Sequence, residues 1–330
     1  MTVDLRFFVS ILIATSLLPG CATKVDKNIF HDIVLKEGEI LPGKNQLKQE
    51  QAKIVVLETE KRLTHANGDQ LGEVFAIAIE KELNETGVNV VDRKLSSLLS
   101  NELKLAELNG VGSYTGPQVA QYAIRGQINS ADYSVTKSAQ LISRLFKNKN
   151  DIPVHFDHKV KVSGTIKIYE LPSLRLLTAI NVSGSANEND SEAGENQATA
   201  TTLLKTAINH AINDQSHELK NFFAPKGYIV EHRANATQSM FKILMGREQG
   251  AKPGSNIVIY SLRRKINDAL SGGKDPIEEI QVAQGTISDR VSDTVSWVVV
   301  DDKDSSGKVR LGDYVKVKYD ENSLFTKIIR

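Results

Sequence analysis

The spacing of apolar residues changes at Ala224-Pro225-Lys226-Gly227, and one uniform architecture cannot satisfy both sides of that change. Upstream, Lys53-Ile54-Val55-Val56-Leu57-Glu58 has the length and β-branched content of a strand. Leu71, Val74, Phe75, Ala78, Ile79 and Leu83 then recur at helical spacing and stop near Gly87, a residue suited to a helix C-terminus. Val88-Asn89-Val90-Val91 reads as a second strand, which makes a βαβ-like unit, and Asp92 can cap a further helix with the stripe Leu95, Leu98, Leu99 and Leu103. Ala123–Ile128 begins another strand. Val160, Val162, Ile166 and Ile168, then Leu174, Leu176, Ile180 and Val182, alternate with polar residues around Leu171-Pro172-Ser173, which predicts a hairpin with one buried face. A long helix is expected from about Gln197, with Leu204, Ala207, Ile208, Ala211 and Leu219 inward.

Downstream, helical periodicity is lost. Short β-rich runs follow at Tyr228–Val230, Phe241–Leu244, Ile257–Tyr260, Gln281–Ile287, Val295–Val300 and Tyr314–Lys318, separated by turns such as Pro253-Gly254 and Gly272-Gly273. The expected fold class is α+β: helices packed on a mixed sheet over residues 52–223, followed by a small all-β, barrel-like domain over 227–330.

The N-terminus carries an address. Phe7–Leu18 is apolar but shorter than the ~20 residues a spanning helix requires. It has the length of a secretory signal core and ends in Leu18-Pro19-Gly20-Cys21, followed by Ala22. This resembles a bacterial lipoprotein signal, with residues 1–20 removed and Cys21 acylated (palmitate among the chains) as the first residue of the mature protein. Ala22, rather than Asp, after the cysteine resembles the default signal for the outer membrane, which implies a lipid anchor on its periplasmic face. Residues 21–51 are polar and mixed and read as the lipidated N-terminus with a linker. Cys21 is the chain's single cysteine, so internal disulfides, thiol catalysis and cysteine metal sites are excluded in the mature chain. A net charge of +1, with lysines interspersed among acids, argues against nucleic acid as a partner.

Strand Ile54–Leu57, the helix ending in Glu85-Thr86-Gly87, and Val90-Val91-Asp92-Arg93-Lys94-Leu95-Ser96-Ser97-Leu98-Leu99 together resemble the core of the curli-secretion lipoprotein family (CsgG), whose fold is of the same kind as the N-terminal domain of TolB. Ile124-Arg125-Gly126-Gln127-Ile128 is similar to a strand of that family, and Ile166–Glu170 with Leu176–Ala179 to its hairpin. The resemblance covers roughly residues 50–222. It implies homo-oligomerisation or contact with other envelope proteins, and a role in assembly or transport of a surface structure. The two-part layout also resembles the periplasmic flagellar-ring protein FlgT. The curli channels contribute two hairpins per subunit to a membrane barrel, and here the match departs. Gly184–Asn196 is too short and acidic for a lipid face, and Leu141, Ile142, Leu145 and Phe146 have helical rather than alternating spacing. The loop His65–Asp69 lacks the constriction aromatic of the channels. A pore is not expected.

No catalytic constellation, cofactor site or metal site emerges. His155 and His158, three apart in a strand, face opposite sides and cannot share an ion. Ser271-Gly272-Gly273-Lys274 lacks the leading Gly and following Ser/Thr of a phosphate loop, and Glu188–Glu195 does not match a calcium loop. Asp92 and Arg93 fit a helix cap and an ion pair, and Trp297 fits a core position. The expectation is a non-enzymatic, outer-membrane-anchored lipoprotein; the rival reading is a lipoprotein regulator binding a peptidoglycan synthase.

Overall fold

The computed structural model describes residues 24–47, 51–61, 68–91, 99–101, 103, 105, 108, 120–139, 154–190, 197–265 and 277–321. By internal contacts the chain forms two units, one of Glu50–Ala224 with Tyr319–Arg330, the other of Met1–Gln49 with Pro225–Lys318.

The first unit is built on a five-stranded mixed sheet. The run beginning at Lys53 forms β2 (Lys53–Lys61), and α2 (Gly68–Asn84) returns the chain to β3 (Asn89–Val91), which pairs with β2 in parallel. The apolar stripe of α2 is buried at Leu71, Phe75, Ala78, Ile79 and Leu83, and Gly87, at φ 77°, follows the helix end. Three long strands complete the sheet: β4 (Tyr122–Ala139), β5 (Val154–Glu170) and β6 (Arg175–Asp190), in the order β3-β2-β4-β5-β6. They are longer than the sequence runs suggest, because beyond Ile128 the alternation continues with small and polar residues on the open face. One sheet face packs against α2 and against α3 (Gln197–Asp214) and α4 (Ser216–Phe223), burying Ile54, Val56, Ile124, Val162, Ile166, Ala207 and Ala211 among others. The other face carries a smaller cluster in which Val55, Leu57 and Ala123 meet Leu99 and Leu103.

Two close approaches depend on glycine. A Cβ on Gly126 would lie 2.5 Å from the Phe75 ring, and one on Gly184 would lie 2.2 Å from the Ala207 carbonyl oxygen and 2.5 Å from the Ala211 nitrogen. These glycines let α2 and α3 settle directly on the strands. The single long helix expected from Gln197 is in fact two. It breaks at Gln215, within Asn213-Asp214-Gln215-Ser216, where Ser216 Oγ donates to the Asn213 carbonyl at 2.8 Å. Side chains of this kind compete with helical backbone bonding.

The second unit is an antiparallel barrel. Its strands are β7 (Lys226–Ala234), β8 (Ser239–Leu244), β9 (Asn256–Arg264), β10 (Ile277–Val291), β11 (Ser296–Val300) and β12 (Tyr314–Val317). They run β7-β12-β9-β10-β11-β8, and the β7–β8 pairing closes the ring. Phe241, Val298 and Ile287 stand in one register row across β8, β11 and β10, and all are buried.

The segment read as a polar linker is held on this barrel from Val25 and joins its sheet at His31. After a 3-10 turn (Lys27–Ile29), β1 (His31–Ile33) pairs antiparallel with the C-terminal half of β7, while β12 pairs with the N-terminal half. The arm then bridges to the segment just before β12: Leu311 N–H donates to Lys36 O and Gly38 N–H to Leu311 O, both at 2.9 Å. A short helix, α1 (Lys44–Leu47), follows. The linker expectation missed these attachments because β1 and the Lys36–Gly38 stretch are held by backbone bonds, which polar side-chain composition does not disclose.

Candidate functional site

Cys21, Asp92, Arg93, His65, Ser271-Gly272-Gly273-Lys274 and Leu141–Phe146 lie outside the described residues. His158 is buried on β5, its Nδ1 2.7 Å from the Tyr133 hydroxyl with the two rings stacked. Of the stretch Glu188–Glu195, residues 188–190 lie in β6. Among the described residues no group of three or more His, Cys, Asp or Glu side chains could hold a metal ion, and no helix is long and apolar enough to cross a membrane.

Three arrangements stand out. The first is the seat of the N-terminal arm on the barrel. Register places Met240 and Val299 opposite one another on the outer wall, with Trp297 two residues along, and Val25 and Phe30 of the arm close over them in one buried cluster. Arg233 of β7, opposite Met240, lays its guanidinium 5.5 Å from the Trp297 ring centre. Its Nε bonds Asp32 of β1 at 2.8 Å and Glu231 at 2.9 Å. At the start of the arm, Val25 N–H donates to Asp289 Oδ1 at 3.2 Å and Arg290 Nη2 donates to the Val25 carbonyl at 3.4 Å. Further along, the Arg264 backbone N–H donates to Glu39 Oε2 at 3.2 Å. Trp297 is thus buried, as its strand context predicted, but beneath the arm rather than inside the barrel.

The second is the open face of β4, β5 and β6. Alternation puts Ser130, Asp132, Ser134 and Thr136 of β4 on it, beside Asp157, Lys159, Lys161 and Ser163 of β5 and Ser183, Ser185, Asn187 and Asn189 of β6. Side chains bond across strands: Ser130 Oγ lies 2.7 Å from Ser163 Oγ, and Asn189 Nδ2 donates to Asp157 Oδ1 at 3.0 Å. From this face a groove of about 810 Å³ runs to α3, where Thr206, His210 and Asp214 stand. The His210 Nδ1–H donates to the Ser185 carbonyl at 2.9 Å. Hydroxyls, amides and charges of both signs line it beside Val162, Ala186 and Leu203, a mixed surface suited to a ligand or protein contact.

The third is an ion triad within the first unit. Lys220 of α4 holds Glu82 of α2 and Glu85 in the turn just after it, each at 2.7 Å. Burial lowers the Lys220 pKa, but hydrogen bonds and attraction from the two carboxylates outweigh it and leave the group above its ordinary value. Beside it, Asn221 exchanges two hydrogen bonds with the Tyr319 backbone, at 2.8 and 2.9 Å. This triad joins helices and was not visible in sequence, since its members lie 135 residues apart (Glu85 and Lys220).

Neither a protein-family model nor a curated protein matches the chain. Among solved structures, it is similar to the PelC dodecamer from Paraburkholderia phytofirmans, at 12% identity over 53% of this chain and 93% of that chain, with a TM-score of 0.25. It is similar to lipoprotein GNA1162 from Neisseria meningitidis at 14% identity, over 48% of this chain and 96% of that one, with a TM-score of 0.24. A minor lipoprotein from Acinetobacter baumannii gives 10% identity, 51% and 88% coverage and a TM-score of 0.23. At these scores the likeness carries no argument for this chain, and the words dodecamer and lipoprotein describe those proteins.

Proposed function

We propose that this chain is a non-enzymatic lipoprotein of the bacterial envelope, anchored through Cys21 at the periplasmic face of the outer membrane. It acts in the assembly or transport of a surface structure, as a scaffold component of the curli-secretion or flagellar-ring kind. The observation that carries the reading is the composition of the open face of β4–β6. A strand facing lipid alternates apolar residues outward. Here every position from Ser130 to Thr136, Asp157 to Ser163 and Ser183 to Asn189 on that face is polar, while the apolar set Val160, Val162 and Val182 turns toward the helices. These strands offer a polar contact surface, which suits a tethered body that binds neighbours rather than one that crosses the bilayer.

The rival reading, a regulator that reaches a peptidoglycan synthase, draws on the length of the arm after Cys21. With Val25 to Glu39 bonded onto the barrel, only Ala22, Thr23 and Lys24 separate the anchor from the first of those contacts. That leaves little reach.

The test is to purify the full chain with its native lipid in mild detergent and measure its mass in solution. A discrete homo-oligomer, or a stable complex with envelope assembly proteins, supports the scaffold. A monomer that retains a peptidoglycan synthase supports the rival, and turnover of a generic ester or glycan substrate overturns both.

A further inference from the structure

We infer that the arm does more than carry the anchor: its exposed apolar residues Ile29, Ile33 and Val34 form a strip that lies on the phospholipid surface and holds the barrel against the membrane. This deepens the proposed function and rests on acylation of Cys21.

Two independent observations meet here. The first is distance. Val25 is fixed to Asp289 and Arg290 of β10, and four residue steps separate it from Cys21. A fully extended chain covers at most about 14 Å in four steps. An acyl group on Cys21 therefore brings the wall of the barrel at β10, and the arm across it, to the level of the headgroups. The second is the arm's own surface. Val25 and Phe30 turn inward onto Trp297, whereas Ile29, Ile33 and Val34 are 56%, 45% and 95% exposed. Ile33 also shares a shallow depression of about 330 Å³ with Val230, which bulges from β7 and is 37% exposed. A single exposed apolar side chain needs no explanation. Three within six residues, on a segment otherwise pinned to the barrel and eight to thirteen residues after the anchor point, give the arm an apolar surface of its own. A bilayer is the apolar phase that the anchor itself brings within reach.

The experiment uses the full chain with its native lipid. Val34→Cys gives one reactive thiol, because Cys21 is acylated, and takes a nitroxide label. The protein is reconstituted into phosphatidylethanolamine/phosphatidylglycerol vesicles, and label accessibility to a soluble nickel chelate and to oxygen is compared with that of the unacylated chain beginning at Ala22. The expected result is at least a three-fold fall in nickel accessibility on vesicles with a rise in oxygen accessibility, both reversed by adding Ile29→Asp and Ile33→Asp. Those two positions are exposed, so the substitutions leave the fold intact, which unchanged Trp297 emission verifies. If mass spectrometry shows the acyl chains on Cys21 but the label stays equally open to nickel, the strip does not face lipid. The inference then fails while the proposed function stands. If Cys21 carries no lipid, the proposed function itself fails. Protection that appears without vesicles and grows with protein concentration assigns the strip to a second copy and also overturns the inference.

Discussion

The guanidinium of Arg233 lies over the indole of Trp297, 5.5 Å from its centre, and the same side chain bonds Asp32 of the arm at 2.8 Å. One residue thus ties the arm to the outer wall of the barrel. The arm is a structural part of that barrel.

Phe30→Ala removes the largest side chain that the arm places over Trp297. The expected loss is about 3 kcal/mol for deleting a buried aromatic ring. Urea unfolding of the second unit, followed by the emission of Trp297, the chain's single tryptophan, measures it. The variant also red-shifts that emission in the native state as the indole gains water. Unchanged emission and stability would show that the arm is not seated.

Gly184→Val should be among the most damaging single changes in the first unit, because its Cβ would overlap the Ala207 carbonyl and the Ala211 backbone. Overpacking of this kind costs about 1–3 kcal/mol, and here the opposing atoms are backbone that cannot swing aside. Ser185→Ala, one residue along on the open face, is expected to change stability by less than about 0.5 kcal/mol. A thermal melt of the two variants separates the cases.

Lys220→Met leaves the buried carboxylate of Glu82 without its cation and should cost about 3–5 kcal/mol. Adding Glu82→Leu should recover most of it, since the unpaired charge then goes too. The pH dependence has a fixed sign. The Lys220 pKa is raised in the fold from its ordinary value of 10.5, so its contribution is complete below that value and is lost as pH rises through the folded value. Alkaline denaturation of the wild type, set against Lys220→Met, should show that loss only in the wild type.

His232 gives the barrel the opposite response. It is buried and stacked on Phe241 at 4.4 Å, and burial lowers its pKa from 6.5. The unfolded chain therefore takes up a proton first, and stability present above about 6.5 falls as pH drops through the folded value. His232→Leu should flatten this acid limb in denaturation curves taken between pH 7 and pH 4.

The barrel strands were legible because each carries a short β-rich run, with turns such as Pro253-Gly254 and Gly272-Gly273 between runs, and all six runs from Tyr228 to Lys318 fall on strands of the closed ring. The stripe on α2 and the parallel pairing of β2 with β3 were legible for the same reason, a strong local period. What was hidden depends on partners far away in sequence. β1 is three residues long and owes its existence to β7, and the Lys220 triad needs two helices to meet. The polar face of β4–β6 lay in between: its residues were visible, but their alignment in rows required the register. The helix break at Gln215 was masked by apolar spacing that continues through it to Leu219.

The pairing of β1 with β7 also sets an order of events during synthesis. Val25 waits for Arg290, 265 residues later, and β12, the strand beside β1 on β7, is made later still. Contacts of such separation form late and slowly. Until they form, Trp297, Met240 and Val299 lie uncovered, an adhesive surface on a half-finished domain. The arm, made before the barrel and seated only after it, then covers that surface, and a change that loosens it should show up as poor yield before it shows up as lost function.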